Sequence, residues 1–94
     1  MEKSIEKTAE NIKSLIASTN QGVVLDHTIN SLVNTETMRD TGHAVVLTLS
    51  TKFDYPEDVL LKWKEMLGAD YFQLRVRLNR IFITYYIHYD KQEA

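Results

Sequence analysis

The alternation of apolar and polar positions is clearest over residues 70–90, DYFQLRVRLNRIFITYYIHYD. Taking Asn79-Arg80 as a two-residue loop, with Asn79 accepting the positive φ that a type I′ turn needs, sets Leu78 opposite Ile81. Stepping outward pairs Val76 with Ile83, Leu74 with Tyr85 and Phe72 with Ile87, because side chains alternate faces along a strand. That face is wholly apolar or aromatic, so Phe72, Leu74, Tyr85 and Ile87 are predicted to lie in the core beneath Trp63. The other face then holds Tyr71, Gln73, Arg75 and Arg77 opposite His88, Tyr86, Thr84 and Phe82. A slip of one residue would mix the two sets, and their segregation is what argues for a hairpin.

Upstream, residues 4–18 place Ile5, Ala9, Ile12, Leu15 and Ile16 at helical spacing. Glu2, Glu6 and Glu10 sit toward the positive end of the helix dipole. The stripe is narrow and aliphatic, and the helix is predicted to end around Thr19-Asn20-Gln21-Gly22 and to pack on a sheet that needs a cover. Asp26 can cap a short helix to about Val33, with Ile29, Leu32 and Val33 at helical spacing, although Thr28, Asn30 and Ser31 are weak helix formers. The polar tract Asn34–Gly42 reads as a loop.

From His43 to Ser50 the period becomes two, with Val45, Leu47 and Leu49 on one face and Ala44, Val46, Thr48 and Ser50 on the other. Asp54-Tyr-Pro-Glu57 has capping-box spacing with proline in the first turn. Val59, Leu60, Trp63, Met66 and Leu67 follow at i, i+1, i+4, i+7 and i+8, and Gly68 closes the helix. The predicted class is α+β: an N-terminal helical segment followed by β-α-β-β, giving a sheet of at least three strands with helices packed on one face. A strand–helix–strand crossover makes the first strand parallel to one hairpin strand, beside it or one position away. Residues 1–94 are expected to form a single domain, with 1–42 the helical and loop segment, 43–90 the β-α-β-β core and 91–94 a tail.

Composition narrows the function without naming it. The net charge of −2 over 94 residues argues against coating nucleic acid through bulk charge. Arg75, Arg77 and Arg80 nevertheless fall in a run from Tyr71 to Tyr89 that contains no acidic residue. With no cysteine, disulfides, thiolate catalysis and cysteine-bound zinc are excluded. The charged N-terminus lacks the apolar core of a signal peptide, and no apolar run is long enough to span a membrane, so a cytoplasmic protein complete from Met1 is expected.

Candidate chemistry is sparse. His27, His43 and His88 have no partner at metal-ligand spacing and read as surface or rim histidines. Asp54, Glu57 and Asp58 cluster at a helix start, where capping and the dipole account for them. Glycines at 22, 42 and 68 are too scattered for a phosphate loop. No catalytic, cofactor-binding or metal residue is assigned, and an enzyme is not expected.

The remaining feature is the outer hairpin face, Tyr71, Gln73, Arg75, Arg77, Phe82, Tyr86 and His88, with Arg80 at the turn. Tyr, Phe and Arg are enriched in protein interfaces, and the expected function is a small regulatory or inhibitory module that binds a protein partner and self-associates as a homodimer, through this face or an adjacent sheet edge. The alternative is a single-stranded RNA or DNA platform on which aromatics stack bases and arginines meet phosphates. The plainest reading is that long amphipathic side chains merely cover a sheet. An apolar patch containing Val46 and Phe82 favours an interface, since a monomer seldom exposes one.

Overall fold

The computed structural model describes residues 2–19 and 23–88. Tyr89 and Asp90, the expected tail and Asn20–Gly22 lie outside them. The element order is α1 (Glu2–Thr19), β1 (Val24–Asn34), β2 (Arg39–Leu49), α2 (Glu57–Leu67), β3 (Tyr71–Arg77) and β4 (Arg80–His88). The four strands form one antiparallel sheet in the order β1-β2-β4-β3. Because β2 and β3 both run antiparallel to β4, they are parallel to each other, one position apart, as the crossover requires. The architecture is α+β, as expected.

The core is built from one side of the sheet. Val45, Leu47 and Leu49 of β2 and Ile83 and Tyr85 of β4 are fully buried, packed with Ile12 and Leu15 of α1 and Leu60, Trp63 and Leu67 of α2. Burial of Ile12 and Leu15, at roughly 1.5–3 kcal/mol each, with Ile16 partly buried beside them, holds α1 against the core. The Tyr85 hydroxyl donates to the Leu60 carbonyl at 2.9 Å, and burial pushes its phenol well above the ordinary range. Gly68 adopts φ 72°, and the N–H groups of Gly68 and Ala69 donate to the carbonyls of Glu65 and Lys64 in a Schellman closure. At the other end Pro56 is the N-cap itself and no side chain caps the helix, so Asp54 does not form the expected box.

Several regions differ from the sequence reading. Residues 26–33, expected to be helical, belong to β1, and the expected loop 34–42 is a tight connection followed by the start of β2. Asn34 makes that connection: its side-chain carbonyl accepts the N–H groups of Glu36 and Thr37, and its main-chain carbonyl accepts that of Met38. Local hydrogen bonding by an Asn side chain, with β-branched Thr28, Ile29 and Val33 before it, outweighs the helical spacing of three apolar residues.

The hairpin turns at Leu78-Asn79, where φ is 50° and 60°, rather than at Asn79-Arg80. Arg77 thus pairs with Arg80, Val76 with Ile81, Leu74 with Ile83 and Phe72 with Tyr85. The slip is of two residues, so every side chain keeps its expected face and only its neighbours change.

The core expected along β3 is only partly present. Tyr85 is fully buried and Phe72 and Ile87 are half-buried, but Leu74 and Val76 are 45% and 65% exposed. The helices cover β2 and β4, and β3 projects past them as an edge strand. His43, expected at the surface, is buried on the helix side of β2, where its Nε2 lies 2.7 Å from the Thr8 Oγ1 of α1.

Candidate functional site

Among the described residues, neither helix lies over the opposite face of the sheet. It carries the alternate residues of each strand: Thr28, Asn30 and Leu32 of β1, then Gly42, Ala44, Val46 and Thr48 of β2. Next come Phe82, Thr84, Tyr86 and His88 of β4, and last Tyr71, Gln73, Arg75 and Arg77 of β3. The β2 positions at the centre are small, while three of the four β4 positions beside them, Phe82, Tyr86 and His88, carry rings. The resulting depression is an open hollow of about 700 Å³, floored by Ala44, Val46, Phe82, Thr84 and Tyr86. Asn30 and Leu32 bound it on one side, Gln73, Arg75 and Arg77 on the other, and Leu78 closes the turn end.

The predicted residues divide into two groups. Gln73, Arg75, Arg77, Phe82 and Tyr86 line the hollow. Tyr71 and His88 do not; they form an aromatic column with Tyr86. The Tyr71 and Tyr86 rings stack at 4.7 Å and 20°, and His88 lies at 6.1 Å from Tyr71 on the same column. This stack exists because the register sets Tyr71 opposite Tyr86. The Tyr86 hydroxyl lies 3.2 Å from the Gln73 Oε1, to which it donates. His88 is held by Asp70, whose Oδ2 accepts the His88 backbone N–H at 2.9 Å and lies 2.7 Å from its Nδ1. Arg80 shares the side of Phe82, two residues along β4, but stands at the turn outside the hollow.

Electrostatics distinguish the two ends. Near β3's start, the Asp70 side chain is bonded to His88. Toward the turn, Arg75, Arg77 and Arg80 are exposed and form no ion pair among the described residues. The same end holds Leu78, a non-glycine residue in the left-handed region and 90% exposed. Both features are unfavourable in an isolated chain: an L-residue in this conformation costs ~1–2 kcal/mol, and an exposed leucine recovers none of it by burial.

Asn30, Leu32, Ala44 and Val46 complete the hollow and were not all foreseen. Ala44 and Val46 were on the predicted outer face of their strand, whereas Asn30 and Leu32 were hidden by the helical reading of 26–33. Their signal was the density of β-branched residues in that segment. Among the described residues, no three His, Asp or Glu side chains converge as a metal-binding group, and no helix is long and apolar enough to cross a membrane. Comparison with models of protein families, with curated proteins and with solved structures finds no match for this chain.

Proposed function

We propose that this chain is a small, non-enzymatic regulatory module of the cytoplasm that binds another protein through its outer sheet face and associates with itself. The observation that carries the reading is the hollow: an apolar floor of Ala44, Val46 and Phe82, flanked by Arg75 and Arg77, which form no ion pair among the described residues, and ended by the exposed Leu78. Such a surface matches an apolar ridge bordered by carboxylates. Burying the floor supplies affinity, and the arginines select the partner's charge and orientation.

A second reading, single-stranded nucleic acid, draws on the same arginines with Phe82 and Tyr86. Two observations favour the protein partner over it. Tyr86 has one ring face stacked on Tyr71 and its hydroxyl bonded to Gln73, so it is a poor platform for a base. The net charge of −2 also opposes long-range attraction of a polyanion.

The test is affinity capture from the native host with the wild-type protein and the R75E/R77E variant side by side. Both side chains are exposed, so the variant is expected to fold. A protein retained by the wild type and lost by a folded variant supports the reading; identical captures contradict it.

A further inference from the structure

The exposed side of β3 is a second uncovered surface, distinct from the hollow. β3 is an edge strand whose pairing with β4 runs without a bulge from Tyr71 to Arg77. The two-residue turn makes Arg77 and Arg80 the hydrogen-bonded pair next to it, and such pairs alternate along an antiparallel ladder. The main-chain groups of Tyr71, Gln73, Arg75 and Arg77 therefore point at β4. Those of Phe72, Leu74 and Val76 point away from the sheet. The same three residues carry apolar side chains, two of them substantially exposed. The other edge, β1, is interrupted by irregularities at Val24/Asp26 and Leu32/Val33, the kind of feature that blunts an edge.

We infer that β3 pairs with β3 of a second copy, antiparallel about a two-fold axis through Leu74, joining two sheets into one of eight strands. This rests on the reading of the chain as a self-associating module and says where it associates. The argument is the strand's own complementarity about its centre. With the axis at Leu74, the strand pairs over its full length: Leu74 meets Leu74 of the second copy and Phe72 meets Val76. All three are outward-directed, so each of the three residue pairs exchanges both of its main-chain hydrogen bonds. On the outer face Gln73 falls opposite Arg75, and Tyr71 opposite Arg77, so that no arginine faces another.

Neighbouring registers lose this match. An axis at Arg75 sets two arginines directly opposite each other, and an axis at Val76 sets Arg75 against Arg77. Like charges in direct opposition are destabilising. An axis at Gln73 shortens the ladder. Only the central register combines full overlap with no arginine facing an arginine. Because the axis is perpendicular to the sheet, both hollows open on the same side, with the arginines of the two copies between them.

Sedimentation equilibrium over a micromolar concentration range tests this, with Q73E, Q73R and L74P as variants. Gln73 is exposed, so its substitution leaves the fold in place. Q73E sets a carboxylate opposite Arg75 twice per dimer and is expected to tighten dimerisation on the order of threefold to tenfold; Q73R is expected to weaken it comparably. L74P removes an N–H that serves only the intermolecular ladder and is expected to leave a monomer, edge strands being where proline is tolerated. Should L74P fail to fold, the opposite effects of the two Gln73 variants still decide. A wild-type monomer throughout the range overturns both this interface and self-association. A dimer indifferent to Q73E and Q73R overturns the β3 interface alone. A crosslinking group at Asn30 of β1, which takes no part in β3 pairing, reads the hollow independently of either result.

Discussion

Thr8 of α1 and His43 of β2 share a buried hydrogen bond, 2.7 Å from Oγ1 to Nε2, that ties the N-terminal helix to the central strand. Burial pushes the His43 imidazole below the ordinary histidine range. The folded state therefore binds this proton less readily than the unfolded chain, whose histidine titrates near 6.5. The stability that the neutral ring contributes is fully present above about pH 6.5 and is lost as pH falls through the lowered folded-state value. Urea midpoints are expected to drop between about pH 7.5 and about pH 5, and H43Q is expected to flatten that slope. A midpoint that rose on acidification would contradict the assignment. T8V, which removes one partner of the bond, is expected to cost about 1–3 kcal/mol at neutral pH.

Gly42 of β2 stands between Leu32 of β1 and His88 of β4. A Cβ there would lie 2.0 Å from the Ile87 carbonyl oxygen and 2.9 Å from the His88 Cα, both main-chain atoms that cannot swing aside. G42A is expected to destabilise the fold by about 2 kcal/mol or more, read as a lowered thermal midpoint. A neutral G42A would mean that the strands are spaced more widely at this point.

Leu78 should trade stability for binding. L78N puts a residue that tolerates positive φ into the first position of the type I′ turn, and is expected to raise stability by roughly 1 kcal/mol. The same change removes the apolar tip of the hollow, so retention of the captured protein is expected to fall. Higher stability with undiminished capture would remove Leu78 from the binding surface.

What could be read from the chain was governed by how locally each feature is encoded. Face identity in the hairpin survived a mistaken turn, because a two-residue slip preserves the alternation that separates Arg75 and Arg77 from Leu74 and Val76. Its register did not, because Asn79 suits either position of a two-residue loop and nothing local distinguishes Leu78 from Arg80 as its companion. In β1, Ile29, Leu32 and Val33 also satisfy a helical period, and the Asn34 turn that folds β1 onto β2 carries no Asn-Gly or Asp-Gly signature. The half of the hollow contributed by β1 was hidden with it. The exposure of Leu74 and Val76 was equally illegible, since it depends on how far the helices reach across the sheet.

The nucleic-acid reading makes a distinct demand. Three arginine–phosphate contacts would give a log–log salt slope of roughly −2 for a single strand. Anisotropy titrations with a labelled oligothymidylate and a labelled oligouridylate, at about 50 and 200 mM salt, are expected to show no saturable binding. Saturable binding with that slope, lost in R75E/R77E, would move the function to nucleic acid.

The central claim is that a partner protein seats in the hollow, and site-specific photocrosslinking in the native host tests it most directly. A photoreactive residue at Asn30 looks into the hollow from the side farthest from β3; one at Lys13 is exposed on the helix side of the molecule. The expected result is a discrete heteromeric adduct from position 30, distinguishable by mass from a crosslinked dimer, and none from position 13. Adducts from position 13 alone, or equally from both, would contradict it.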